Sequence, residues 1–248
     1  MPTIINPNAI LNGFEIEFPT VGFIKLYYKI DITPTDQNKL AHPQPQFLPK
    51  AKAGTIFYKI PELLGFDVPV LIKTKEKCKG TIAILGQDAL RDPNDPLLEG
   101  FNTKKEIVVG LPYAIAFDQN YKQVSVYHHL IKDILDAGYD VYLTDIWKSW
   151  DYDHNSRMGK WSNNNPHKQC LGDEFKSVNV DYVVLMGNVA QKKFKTSPNS
   201  SSVVEIPVPH LSPAANGTWK DILKDKPVDE ANKIEFVKDE MRNKGVII

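Results

Sequence analysis

Beyond residue 79, short apolar runs rich in β-branched side chains alternate with longer amphipathic ones, the pattern of strands feeding crossover helices around a mostly parallel sheet. The apolar runs fall at residues 81–85, 139–144, 182–186 and 203–208, which predicts a central, mostly parallel sheet of four strands. Between the first two runs lies segment 125–137, where Val126, Leu130, Ile131, Ile134 and Leu135 recur on one helical face and Gly138 supplies the stop. Segments 188–194 and 233–243 read as further helices. Strands that alternate with helices place the helices on both faces of the sheet, so the expected class is α/β with a three-layer α/β/α architecture.

Before residue 79 the pattern changes. Residues 14–18 and 23–30 are expected to form a hairpin, and a Pro-rich stretch occupies 42–49. Two organisations fit: a single domain over 1–248, in which 1–78 is an N-terminal elaboration packed on the core of 79–248, or a small separate module at the start. The first is preferred. Segment 148–169, rich in Asn, Trp, Asp and His, has no clear period and reads as a long loop, and such loops in compact domains often carry function.

With 248 residues, 42% of them hydrophobic and 24% charged, the chain is able to bury a full core and is not of the disordered type. No apolar run is long enough to cross a bilayer, and the segment after Met1 lacks the basic start and apolar stretch of a signal peptide. An intracellular monomer without a membrane partner is expected. Cys78 and Cys170 lie far apart and belong to no CxxC pair, which implies neither a disulfide framework nor a metal–sulfur site. Acidic and basic residues balance at 30 each, which counts against a strongly basic nucleic-acid surface. Distribution changes that picture, because lysines cluster at 73–79, 192–195 and 220–226, and a local basic rim suffices for brief contact with DNA.

In an open parallel sheet, ligands bind at the carboxyl ends of the strands. The polar clusters fall there: Gly86-Gln87-Asp88 after the first strand, Asp145 after a middle one, and Pro209-His210-Leu211-Ser212-Pro213 after the last. Two carboxylates and one imidazole would converge on a single cleft. Each has an ordinary alternative, Asp88 as a helix N-cap and His210 as a satisfied surface histidine. His128 and His129 read as structural or solvated, whereas His154 and His167 are candidates for lining the cleft. Asp88, Asp92 and Asp95 could hold a metal, but the DPNDP run reads better as a turn, and no metal or cofactor is expected.

The series ILGQDAL, GLPYAIAF, VYLTDIW, YVVLMGNVAQKKF and VPHLSPAANGTW resembles, in order and spacing, the uracil-DNA glycosylase superfamily. The corresponding pieces in its best-known branch read GQDPYH, GLCFSV, LLN, a strand followed by AQKK, and HPSPLSA. The resemblance spans roughly 79–219 and leaves the N-terminal segment unexplained. It implies hydrolysis of the bond between a flipped-out base and its deoxyribose, with DNA as the partner. In such a reaction the sugar becomes an oxocarbenium cation and the base leaves as an anion, so both charges require stabilisation. By resemblance, Asp88 lies beside the sugar and positions the attacking water, and His210 donates a hydrogen bond to the leaving base. The same resemblance places Gln87 and the amide after it at the base, and Tyr113 as a ring stacked on it, a contact worth roughly 1–3 kcal/mol. Asp145 falls where the family's Asn reads the base edge. Ser212 and Pro213, with Lys192 and Lys220 nearby, fall where the family presses on backbone phosphates.

Three departures bear on the substrate. An amide at 145 offers a donor and an acceptor, whereas the carboxylate of Asp145 only accepts, which suits the amino group of a cytosine better than the O4 of uracil. Ala89 and Leu90 replace the residues that wall off the fifth ring position, which leaves room for a substituent. Ala214 shortens the wedge that fills the vacated base stack, with Leu211 as a substitute, and so favours single-stranded or unpaired DNA. The base is thus uracil, read by a protonated Asp145, or a modified cytosine. Two alternatives stay open: a non-catalytic nucleic-acid-binding member of the fold, and a hydrolase of free nucleosides.

Overall fold

The computed structural model describes residues 4–5, 11, 13–23, 33, 46–49, 63–88, 100, 102, 104–114, 125–148, 150–151, 166–197 and 202–248. Four strands with near-continuous apolar sequence, β6 (Thr81–Asp88), β8 (Asp140–Trp147), β10 (Tyr182–Met186) and β11 (Val204–Val208), pair in parallel in the order β8-β6-β10-β11. Ile82, Ile84, Val141, Leu143 and Val184 are fully buried, as expected where helices cover both faces of a parallel sheet. These are the four strands legible in the hydropathy pattern, within a few residues at each end. The sheet itself is larger. β5 (Val70–Lys73) joins β8 antiparallel, and β2 (Glu15–Glu17) and β1 (Ile4–Ile5) follow, giving seven strands in the order β1-β2-β5-β8-β6-β10-β11.

Both edges of β2 are therefore occupied, by β1 and β5, so residues 15–17 do not form the expected hairpin with 23–30. Val21–Phe23 is a helical turn instead, and 24–30 lie outside the described residues. Leu11, Phe14, Ile16 and Phe18 are buried in the same cluster as Ile82, Ile84, Val141 and Val184. A second sheet, β3 (Gln46–Pro49), β7 (Glu106–Gly110), β4 (Leu63–Asp67) and β9 (Trp150–Asp151), is ordered β3-β7-β4-β9, and Phe66, Ile107 and Val109 send their side chains into that cluster. Sequence patterning missed β4, β5 and β7.

The helices lie on both faces of the large sheet, completing an α/β architecture of three layers. On one face, α1 (Ser125–Asp136) buries Leu130, Ile131, Ile134 and Leu135, and Gly138 at φ 90° ends it, with its N–H on Leu135 O at 3.0 Å. Beside it lie α4 (Asn216–Leu223), which buries Trp219, and α5 (Glu230–Asn243), which buries Ile234, Val237 and Met241 under an Asp229 cap at 2.9 Å from Asn232 N. The opposite face carries α2 (Pro166–Val178) and α3 (Gly187–Phe194), with Leu171, Phe175, Ala190 and Phe194 in a second cluster. Helix α2 corrects the long-loop reading of 148–169, because it begins inside that segment, and β9 lies there too. No helix among the described residues is long and apolar enough to cross a membrane.

Candidate active site

Parallel pairing of β6 with β8 sets Gly86 opposite Asp145 and Asp88 opposite Trp147 at the carboxyl ends of both strands. Asp88 is the last residue of β6; its side chain, with Ala89, Leu90, Asp92, Asp95 and His154, lies outside the described residues. Gln87 is half-buried. Asp145, at 7% exposure, shares its side of β8 with Val141 and Leu143.

The second sheet delivers the next group. β7 runs into Leu111 and a single helical turn, Pro112–Ala114, where Tyr113 takes the left-handed conformation at φ 56°. A tyrosine held there costs about 1–3 kcal/mol. Its hydroxyl comes so close to Gly86 that a Cβ on that residue would lie 2.8 Å from it and would overlap Asp145 Oδ1. Glycine at position 86 leaves room for both the phenol and the carboxylate beside the β6 backbone. The Tyr113 hydroxyl is buried and finds no hydrogen-bond partner among the described residues, a state that costs roughly 1–3 kcal/mol. Burial, and then the charge of Asp145, hold this phenol's pKa well above its usual value, so it stays protonated.

The ring of Tyr113 lies against Tyr127 of α1, centroids 4.7 Å apart and planes tilted by 32°. Stacking was expected from Tyr113 toward a bound base; in the structure one face of the ring is taken by Tyr127. The hydroxyl of Tyr127 in turn reaches His210, 3.3 Å from Nδ1 and 3.5 Å from Nε2. Burial and the charge of Asp145 raise its pKa as well. A chain of contacts thus runs from Gly86 and Asp145 through Tyr113 and Tyr127 to His210, joining the ends of β6, β8 and β11 on one side of the sheet.

His210 sits half-buried in the loop after β11. Ser212 donates its backbone N–H to His210 Nδ1 at 3.2 Å, and its hydroxyl lies 2.8 Å from the same nitrogen. A ring nitrogen that accepts a backbone N–H carries no proton, so the neutral imidazole holds its proton on Nε2 and donates from there. The loop is gripped from outside. Trp219 Nε1 donates to His210 O at 2.9 Å, and Lys233 Nζ reaches Leu211 O at 3.1 Å and Asn216 Oδ1 at 2.8 Å. Gly187, at φ 83°, lets α3 start against His210, where a Cβ would stand 3.3 Å from His210 Cβ. Gln191 Nε2, 2.9 Å from Val208 O and 3.4 Å from Leu185 O, ties the ends of β10 and β11.

Several expectations change in position or role. Leu211 is 1% exposed and belongs to the core, so it cannot serve as a wedge. Ser212 engages the imidazole. Pro213, Lys192 and Lys220 are exposed, the two lysines on α3 and α4. The lysines of 73–79 are at the wrong end of the sheet: Lys73 pairs with Asp140, and Lys79 bonds Ala137 O at 2.7 Å, both where β8 begins. That is roughly 16 Å of strand away from Asp145. His167 lies fully buried in α2, under Trp147. His128 is buried and His129 exposed, 2.9 Å from Glu230. Cys78 is exposed and Cys170 buried.

Sequence reasoning missed Tyr127, Trp219, Lys233 and Gln191. An aromatic residue on an amphipathic helix gives no sign that its hydroxyl leaves the core face, and the NVAQKKF segment was the one available pointer to Gln191. Neither a protein-family model nor a curated protein matches the chain by sequence.

Proposed function

We propose that the protein is a DNA glycosylase, hydrolysing the N-glycosidic bond of a flipped-out pyrimidine-type base to leave an abasic site. The observation that carries this reading is the fixed tautomer of His210: with Nδ1 accepting from Ser212, the Nε2–H is a neutral donor suited to the oxygen of a leaving base. A neutral donor of this kind stabilises developing negative charge without having to give up its proton. Asp88, ending β6 two strands away from β11, is assigned to the sugar, where a carboxylate favours the oxocarbenium cation and orients water. Gly86 and Asp145 occupy the carboxyl end of the same sheet, where ligands of such folds bind. Lys192, Lys220 and the exposed Pro213 are assigned to backbone phosphates.

The test is base release from oligonucleotides, single- and double-stranded, that carry uracil, thymine, cytosine or 5-substituted cytosines, with abasic sites read as alkali-labile breaks. The parent protein is expected to release a pyrimidine-type base, and Asp88→Asn to lose roughly 100- to 10,000-fold in single-turnover rate. Equal rates for parent and variant would remove Asp88 from the chemistry. A second reading, hydrolysis of free nucleosides, is favoured by one observation: the cluster with the most lysines, 73–79, lies at the far end of the sheet, where Lys73 and Lys79 are bonded to Asp140 and Ala137 O. The same protein incubated with nucleosides decides between the two.

A further inference from the structure

We infer that Tyr113 and Asp145 act as a donor–acceptor pair that reads the edge of an aminopyrimidine, the carboxylate accepting from the exocyclic amino group and the phenol donating to the neighbouring ring nitrogen. This inference rests on the glycosylase reading and assigns its base.

Three features of the structure carry it. The phenol oxygen of Tyr113 and Oδ1 of Asp145 both close in on Gly86, 2.8 and 2.4 Å from where a Cβ would stand, so two hydrogen-bonding groups of different kind border the same end of β6. The Tyr113 hydroxyl is buried without a partner among the described residues, although the fold holds it there through a left-handed backbone and a ring packed on Tyr127. A group held at such cost and left unsatisfied is arranged for something that arrives later. The two groups also differ in kind. An ionised carboxylate is an acceptor alone, and a phenol kept protonated by burial and by that carboxylate is available as a donor.

Tyr127 connects this pair to His210, whose Nε2–H supplies a second donor. The site therefore offers one acceptor and two donors. A cytosine-type ring presents the complement: amino donor, unprotonated ring nitrogen, carbonyl oxygen. Uracil presents an oxygen where the first has an amino group, and an N–H where the second has a bare nitrogen. It meets the imidazole correctly and faces Asp145 with like polarity.

The experiment compares the parent, Tyr113→Phe and Asp145→Asn on oligonucleotides carrying uracil, cytosine or 5-hydroxymethylcytosine, under single-turnover conditions, with a thermal melt of each protein to establish that it is folded. The parent is expected to release the aminopyrimidines at least about 100-fold faster than uracil, since a site built around hydrogen bonds rejects a ring that leaves them unmade. Y113F should lower aminopyrimidine release by roughly 10-fold or more, and by more than it lowers uracil release. D145N, which adds a donor, should shift the ratio toward uracil. Preference of the parent for uracil, or an aminopyrimidine-to-uracil ratio indifferent to both substitutions, would overturn the inference and leave the glycosylase reading standing. Release of no base from any of these DNAs would overturn both.

Discussion

The two sides of β8 treat their buried polar groups in opposite ways. On the side facing α2, every described group is answered from within the fold. Thr144 donates to Glu174 at 2.9 Å; Lys148 Nζ reaches Thr144 at 2.5 Å and Glu174 at 2.6 Å; Cys170 donates to Glu174 at 3.3 Å. Lys148 N–H donates to His167 Nδ1 at 3.0 Å. On the other side, Asp145 faces a phenol that has no hydrogen-bond partner among the described residues and a strained backbone. Each region contains a buried carboxylate, Glu174 on one side and Asp145 on the other. The difference teaches which of them serves the fold: a saturated network locks elements together, whereas an unanswered donor beside an acceptor is a structural expense that packing alone does not explain.

The contrast breaks most visibly on the saturated side. Lys148→Met leaves Glu174 buried without its cation and is expected to cost about 3–5 kcal/mol in urea denaturation, while the double replacement with Glu174→Leu recovers most of that loss. If the double variant is as weak as the single one, the network does more than pair charges. A smaller effect comes from acid. Burial, then the charge of Lys148, lower the pKa of His167 to about 3. Between that value and the ordinary one near 6.5 the unfolded chain binds a proton that the folded chain refuses, so stability falls as pH drops through this window. From pH 7 to pH 4.5 the parent should lose about 3 kcal/mol more than His167→Gln, measured by denaturation at both pH values. Identical losses would place His167 in contact with water. The smallest effect, of opposite sign, belongs to the other side: Tyr113→Phe should stabilise the protein by about 1 kcal/mol, because it removes an unanswered buried hydroxyl. A drop in melting temperature would mean that this hydroxyl has a partner within the fold.

The same contrast explains what could be read from the chain. Apolar strands with helix-length segments between them announce themselves by period, and residues 81–85, 139–144, 182–186 and 203–208 do so. Helix α2 did not, because the side chains it buries include His167, Lys168 and Glu174, polar residues made tolerable only by partners that tertiary folding brings. β4, β5 and β7 are short, and their pairing is set by distant segments. At the candidate site, Gly86, Asp145 and His210 were visible as polar punctuation at strand ends. Tyr127 was hidden, since its role depends on a hydroxyl that reaches a loop 83 residues away. Lys233 and Trp219 were hidden for a similar reason, as a lysine and an indole on amphipathic helices look ordinary until the oxygens they hold are known.

Those last two residues carry an implication for how this scaffold can change. Trp219 and Lys233 grasp main-chain oxygens at positions 210 and 211, so two of the bonds that hold the curve of the polypeptide there do not involve the side chain of residue 210. Evolution, or an engineer, can therefore exchange the imidazole for another headgroup and keep the bend that aims it, which makes the segment an interchangeable tool mount on a rigid frame.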